Sequence, residues 1–209
     1  MITQSSVDDY LERLASGNAT PGGGSAAAIM GSMGAALISM VCNVTIGKKG
    51  YEAVESELWA VRAQSERLRI KLAAMVAEDI AAFDGLMAAY KRPKLSEDDR
   101  SRRAEEIQVS LRRATEVPLD CARACAEVIK LARRASEHGY RGVISDGGVG
   151  VLAACSGARS AALNVFINAP ALRDRAFVDA VIGEAEKLLA FCEVETEAVY
   201  TLVRKKLEA

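Results

Sequence analysis

Residues 25–46 read SAAAIMGSMGAALISMVCNVTI, and no charged residue occurs between Ala15 and Ile46. A helix over this run is long enough to cross a bilayer, with Ala27, Gly31, Gly34 and Ala35 as a small-residue packing face. Against that reading, Ser25, Ser32, Ser39, Asn43 and Thr45 interrupt the run, and Ala and Gly outnumber Leu and Ile. A second pale segment, about Val149 to Ile167, carries Arg159 and Asn164 near its middle, which hydrocarbon tolerates badly. Mean hydropathy over the chain is only +0.08. The expectation is therefore no membrane partner, and two central small-residue helices enclosed by amphipathic ones.

Working outward, the flanking segments also read as helices. Four prolines in 209 residues and abundant Ala, Leu, Glu, Arg and Lys favour helix almost throughout. Ser5 or Ser6 caps a short helix over about Val7 to Ala15, with Asp8 and Asp9 in its first turn. Gly47 ends the pale helix, and the basic turn Lys48-Lys49-Gly50 follows. From about Tyr51 to Tyr90, Val54, Leu58, Val61, Leu68, Leu72, Met75, Val76, Ile80, Phe83 and Leu86 recur at intervals of three and four along one buried stripe. Ser96-Glu97-Asp98-Asp99 starts a fourth helix, expected to run to about Glu137 with a kink near Pro118. A loop from His138 to Gly148 leads to the fifth helix, and Asp174 to Leu207 forms the sixth. Val143-Ile144 is the only hint of a strand. The fold class is all-α: one domain, residues 1–209, as an antiparallel bundle of about six helices around the two pale ones.

Charge and cysteine usage narrow the function. Twenty-seven Lys and Arg against 28 Asp and Glu, with 5% aromatics, leave no basic field or stacking stripe for nucleic acid. The opening MITQSSVDDY lacks the basic and apolar regions of a secretory signal. Five cysteines, an odd number spread along helices, read as reduced thiols, and the compartment expected is the cytoplasm. His138 is the only histidine. Cys121 and Cys125 have no third soft ligand nearby in sequence, so no metal site is expected.

Several polar residues could carry chemistry. In Thr20-Pro21-Gly22-Gly23-Gly24-Ser25, three glycines allow close backbone approach, and the following helix start offers free N–H groups to an anion. A tight helix–helix connection explains the same residues. Asp146, in Ile144-Ser145-Asp146-Gly147-Gly148, is either a helix cap or a catalytic carboxylate. Asp79 shares a helix face with Phe83, at the edge of the core where burial would raise its pKa, or on a solvated face. Lys48 and Lys49 suit a helix C-terminus without further role. Arg159, Asn164 and Asn168 need polar partners on a mostly apolar helix.

Taken together, Thr20-Pro21-Gly22-Gly23-Gly24-Ser25-Ala26-Ala27-Ala28, Ser39 to Lys49, Asp79-Ile80-Ala81-Ala82-Phe83-Asp84, Val117-Pro118-Leu119 and Ile144-Ser145-Asp146 occur in an order that resembles the cyclodeaminase/cyclohydrolase family. That family comprises the cyclodeaminase domain of formiminotransferase-cyclodeaminase and free-standing methenyltetrahydrofolate cyclohydrolases. The resemblance spans nearly the whole chain. It implies an all-helical homodimer that binds a tetrahydrofolate derivative as substrate and needs no cofactor. The implied reaction is hydrolysis of 5,10-methenyltetrahydrofolate to 10-formyltetrahydrofolate. The alternative is release of ammonia from 5-formiminotetrahydrofolate, and a helical oligomerisation module is the non-enzymatic one. On this reading Asp79 or Asp146 transfers the proton and Lys48 polarises the adduct. Gly23, Gly24, Ser25, Asn43, Asp84, Arg159 and Asn164 bind the substrate.

Overall fold

Missing side chains decide how closely the two pale helices approach. In the computed structural model, which describes residues 6–208, six α-helices follow one another: α1 (Val7–Ala15), α2 (Gly23–Thr45), α3 (Glu55–Tyr90), α4 (Glu97–His138), α5 (Ile144–Asn168) and α6 (Arg175–Glu208). Short 3₁₀ turns at Glu52–Val54, Arg141–Val143 and Ala169–Ala171 join them. A Cβ placed on Gly34 would stand 2.8 Å from the Gly150 carbonyl oxygen, and one on Gly157 would stand 2.9 Å from that of Ala27. Numbers rise along α2 as they fall along α5, so the helices are antiparallel and touch backbone to backbone. α3 crosses the other flank of α2, also antiparallel: Ser32 Oγ donates to the Arg69 carbonyl at 3.1 Å, and Arg62 Nε donates to Asn43 Oδ1.

α4 fills the back of this layer. A Cβ on Gly31 would meet Cys125 Sγ at 2.6 Å, and Ile38, Leu72, Val128, Ile129 and Val151 are fully buried in the common core. α6 closes over α5, where Gly148 faces Val203. A second apolar cluster, including Leu111, Val165, Leu172 and Val181, packs the end of the bundle where α2 begins. α2 and the stretch Arg141–Ala171 around α5 are long and apolar enough to cross a membrane, with mean hydropathy 1.7 and 1.4 over 18 residues, yet 56% and 50% of those residues are buried inside the bundle. All five cysteines are buried free thiols, and burial pushes Cys42 to about 11 and Cys192 to about 12. No cluster of three or more His, Cys, Asp or Glu suited to a metal occurs among the described residues.

The capping expectations hold at both acidic starts. Ser6 and Asp9 form a reciprocal capping box on α1, as Ser96 and Asp99 do on α4, where both hydrogen bonds are 3.1 Å. Three expectations need correction. α5 begins at Ile144 rather than Val149, because the 3₁₀ turn at Arg141–Val143 feeds directly into it; Asp146 therefore lies in its first turn and not in a loop. For the same reason Val143-Ile144 forms no strand. His138 belongs to the last turn of α4, with Nε2 3.4 Å from Glu57 Oε2, rather than to an exposed loop. At Pro118, α4 stays one continuous helix from Glu97 to His138. The missing N–H of Pro118 leaves the Ala114 carbonyl without its helical donor, and Asn168 Nδ2 fills the place at 2.8 Å.

The backbone contact makes a sharp prediction. Gly34→Ala and Gly157→Ala should each destabilise by roughly 1–3 kcal/mol through overpacking. Gly85→Ala and Gly183→Ala lie in helices with nothing within 4 Å of the new Cβ, and should stabilise by about 0.5–1 kcal/mol. Urea titration of the four variants separates the two classes.

Candidate active site

The site is built around the first turn of α2. Gly22 is its N-cap in an extended conformation, without a side-chain cap. Ser25 is fully buried, and its Oγ donates to Asp79 Oδ2 at 2.9 Å. The Ser25 backbone supplies a further hydrogen bond to the same carboxylate. A Cβ on Gly24 would collide with the Asp79 carboxyl group. The glycine run thus makes room for an internal anion: the free N–H groups of the helix start are met by Asp79 from α3. Burial raises the Asp79 pKa above its ordinary 3.8, outweighing the Ser25 hydrogen bonds that lower it. The hydroxyl of Tyr10, on α1, is buried without a hydrogen-bond partner, and its pKa is raised by burial and by the nearby Asp79 charge.

Asp79 faces a cleft of ≈ 310 Å³. α3 contributes Phe83, Leu86 and Met87, which follow Asp79 on one helix face, and α5 contributes Asn164, Ile167 and Asn168 at intervals of three and one. Ala82, Ala114, Ala19, Thr20 and Gly22 to Gly24 complete the wall. Asn164 Nδ2 turns back to the Ser160 carbonyl at 3.0 Å, and Asn168 Nδ2 is engaged by Ala114. Each of these bonds uses one N–H of its amide, so each side chain keeps an oxygen that can accept and a second N–H that can donate. Asp79 is the one ionisable side chain among the described residues lining the cleft. A carboxylate and two side-chain amides among apolar walls suit a flat, cationic heterocycle that bears N–H groups and acceptors.

The other expected site residues are distributed unevenly. Gly23, Gly24 and Asn164 line the cleft and Ser25 holds Asp79. Asp84 is exposed on α3 and outside the lining. Arg159 pairs with Glu193 of α6 at 3.3 Å on the surface. Asn43 lies 18 residues along α2 from Ser25, about 27 Å at 1.5 Å per residue. Lys48 and Asp146 share that far end. There Gly47 and Gly50 take positive φ values of 76° and 90° to close the turn, and Lys48 Nζ sits 4.1 Å from the centroid of Tyr140. Asp146 occupies the first turn of α5, where its charge favours the helix start. Within one chain the expected residues therefore form two groups at opposite ends of α2.

Tyr10, Met87, Ala114 and Ile167 carry no mark in the sequence as site residues, and Asn168 is marked only as a residue in need of a partner. One signal for Asn168 is present: a proline in α4 must orphan the carbonyl four residues before it.

Two measurements test this geometry. Asn168→Ala should cost about 1–3 kcal/mol by stranding the Ala114 carbonyl. The cost should shrink in the Pro118→Ala background, where a restored N–H takes over; a denaturant double-mutant cycle reads the coupling. For Asp79, the folded pKa is raised, so the folded state binds more protons between 3.8 and that raised value. Wild-type stability relative to Asp79→Asn should fall as pH rises through this window and level off above it, checked by melts between about pH 3.5 and 7.

Known proteins resemble this chain in fold and in sequence. A family model for formiminotransferase-cyclodeaminase matches residues 6–187. The methenyltetrahydrofolate cyclohydrolase of Methylorubrum extorquens is 50% identical over 207 residues, 99% of this chain and 100% of its own. The formimidoyltransferase-cyclodeaminase of Sus scrofa is 34% identical over 96% of this chain, which spans 36% of that larger protein. The crystal structure of formiminotetrahydrofolate cyclodeaminase from Thermotoga maritima superposes with a TM-score of 0.85 at 30% identity, covering 100% of this chain and 98% of that one. On sequence and fold alike, this chain belongs to the formiminotransferase-cyclodeaminase family.

Proposed function

We propose that the chain is a methenyltetrahydrofolate cyclohydrolase, converting 5,10-methenyltetrahydrofolate to 10-formyltetrahydrofolate. The observation that carries this reading is the half-buried Asp79 carboxylate facing a cleft whose other polar side chains are the uncharged Thr20, Asn164 and Asn168. The substrate's amidinium is positively charged, so Asp79 attracts it and the amide oxygens accept from the N–H groups of its pterin. The bridging carbon is already electrophilic, so a positioned water and a proton carrier suffice, without cofactor or metal. Water adds to that carbon and gives one proton to Asp79; the tetrahedral adduct then opens as N5 takes this proton and the carbon–N5 bond breaks. The remaining hydroxyl proton passes to solvent as the formyl group forms on N10, and Asp79 is left ionised. A carboxylate with a raised pKa suits both transfers, because it holds the proton for the interval between them.

The reading extends to a cytoplasmic enzyme that works as a homodimer, with residues 1–209 as one catalytic domain. Support for hydrolysis comes from the 50% identity, over its full length, to a protein named methenyltetrahydrofolate cyclohydrolase. The likeness to the Thermotoga cyclodeaminase favours the second reading, in which the same carboxylate protonates the leaving ammonia of 5-formiminotetrahydrofolate.

The test follows the absorbance of 5,10-methenyltetrahydrofolate against its uncatalysed hydrolysis. The expected result is enzyme-dependent loss that Asp79→Asn slows by roughly 10²- to 10⁴-fold. kcat/KM should rise with pH through the raised Asp79 pKa and then level, because the base must be ionised. No acceleration by the wild type, with ammonia released from 5-formiminotetrahydrofolate instead, would replace this reading by the second.

A further inference from the structure

Of the six α-helices, α1 alone buries none of its residues. Val7 and Leu11 are exposed, and the helix rests on the bundle through one face, where Tyr10 and Leu14 are half-buried four residues apart. Yet the Tyr10 hydroxyl is withdrawn from solvent and has no hydrogen-bond partner among the described residues. Folded chains ordinarily pair such a group, because stripping a hydroxyl of water without replacing its hydrogen bond is costly. The charge this hydroxyl feels is that of Asp79. Residues 16–22 lead from α1 to the Gly22 cap of α2, and Ala19, Thr20 and Gly22 in that stretch line the cleft. Tyr10 itself does not line it. The hydroxyl therefore comes to Asp79 from outside the cleft, where it can act on the carboxylate and not on a ligand held beyond it.

Asp79 has room for such a donor. An ionised carboxylate accepts about four hydrogen bonds, and Ser25 supplies two, from its hydroxyl and its backbone N–H. The charged groups on the surrounding elements are committed elsewhere or face solvent. Glu78 of α3 pairs with Arg113 of α4 at 3.4 Å, and Arg159 of α5 pairs with Glu193 of α6. α2 carries no charged residue. On α1, Asp9 closes the capping box with Ser6, while Asp8, Glu12 and Arg13 are exposed. Tyr10 is the titratable group left to Asp79. A hydrogen bond to an ionised acceptor is stronger than a neutral one, and a helix held to the bundle by one half-buried face can settle toward that acceptor.

From this we infer that Tyr10 is a positioning residue for the base: when Asp79 is ionised α1 settles on the bundle, and the Tyr10 hydroxyl donates to the Asp79 carboxylate from outside the cleft. Held by Ser25 and by Tyr10, the carboxylate does not turn about its own axis, and its remaining lone pair stays directed at the cleft, where water adds to the ligand. When Asp79 takes up the proton its oxygens become weaker acceptors and the contact loosens. The contact thus follows the proton through each turnover, while the hydroxyl keeps its own. What is turned over rests on the folate reading, but the contact is a property of the folded chain without ligand.

Tyr10→Phe removes only the hydroxyl, and two measurements on it test the proposal. The first needs no ligand: wild type, Tyr10→Phe, Asp79→Asn and the double variant are melted at about pH 3.5 and about pH 8, on either side of a raised aspartate. Tyr10→Phe should lower Tm more at the higher pH, where Asp79 is ionised, and this excess should vanish in the Asp79→Asn background. A Tyr10→Phe chain at least as stable as wild type at the higher pH, or equally destabilised at both, overturns the contact, since removing an orphan hydroxyl brings relief and not loss. The second measurement follows kcat/KM for 5,10-methenyltetrahydrofolate against pH. Losing a donor to the ionised carboxylate should move the rise of the profile up by on the order of one pH unit, a loss of up to about 10-fold below the wild-type midpoint. A uniform loss at every pH, with the midpoint unmoved, overturns the positioning role. If the melts show the pH-dependent coupling while the wild type turns over no folate, the folate reading falls and the Tyr10–Asp79 contact stands.

Discussion

The contact on which the structure depends is the backbone-to-backbone approach of α2 and α5. Glycines at 34, 150 and 157 let two antiparallel helices come within carbonyl distance, where any side chain would intrude. Buried at that spacing, the pair forms a thin slab of small residues, with α3, α4 and α6 packed on its flank and back. The same closeness sets Gly23 of α2 beside Asn164 of α5 and so fixes the mouth of the cleft. Architecture and site therefore share one cause: small residues in register on two helices.

Within that frame the site shows two opposed effects resolved on one carboxylate. The start of α2 and Ser25 favour the ionised form of Asp79, while burial disfavours it, and burial wins. The result is a base that remains protein-bound and protonates more readily than a surface aspartate. The amide orientations around it are equally constrained. Pro118, which elsewhere would break a helix, here leaves a carbonyl that holds the Asn168 amide by one of its N–H groups. A residue with no chemistry of its own thus positions one polar side chain of the cleft wall.

Much of this is legible in the chain. Ser6-Val7-Asp8-Asp9 and Ser96-Glu97-Asp98-Asp99 name their helix starts because capping is local, involving atoms three residues apart. The α3 stripe from Leu58 to Leu86 names its buried face because helical period is a property of the sequence. Asp79, beside Phe83 on that stripe, can be placed at the core's edge for the same reason. By contrast the start of α5 is not legible, since Arg141–Val143 adopts a 3₁₀ turn held by contacts to α2, including Tyr140 N–H to Thr45 Oγ1 at 2.8 Å. His138, expected in a loop, is held in α4 beside Glu57 of α3, 81 positions earlier.

The sequence by itself determined the helices, their caps, the small-residue character of the central pair and the residues with chemistry to offer, because these follow from neighbours within a turn or two. Only the tertiary structure decided which of those residues meet. Asp79 reaches Ser25 across 54 positions and Asn168 reaches Ala114 across 54, whereas Lys48, Asn43 and Asp146 are carried to the opposite end of the bundle. The physical reason is the antiparallel packing of long rigid helices: a helix holds its two ends roughly 1.5 Å per residue apart, so residues on one helix cannot converge, and a site forms only where another element delivers its side chains.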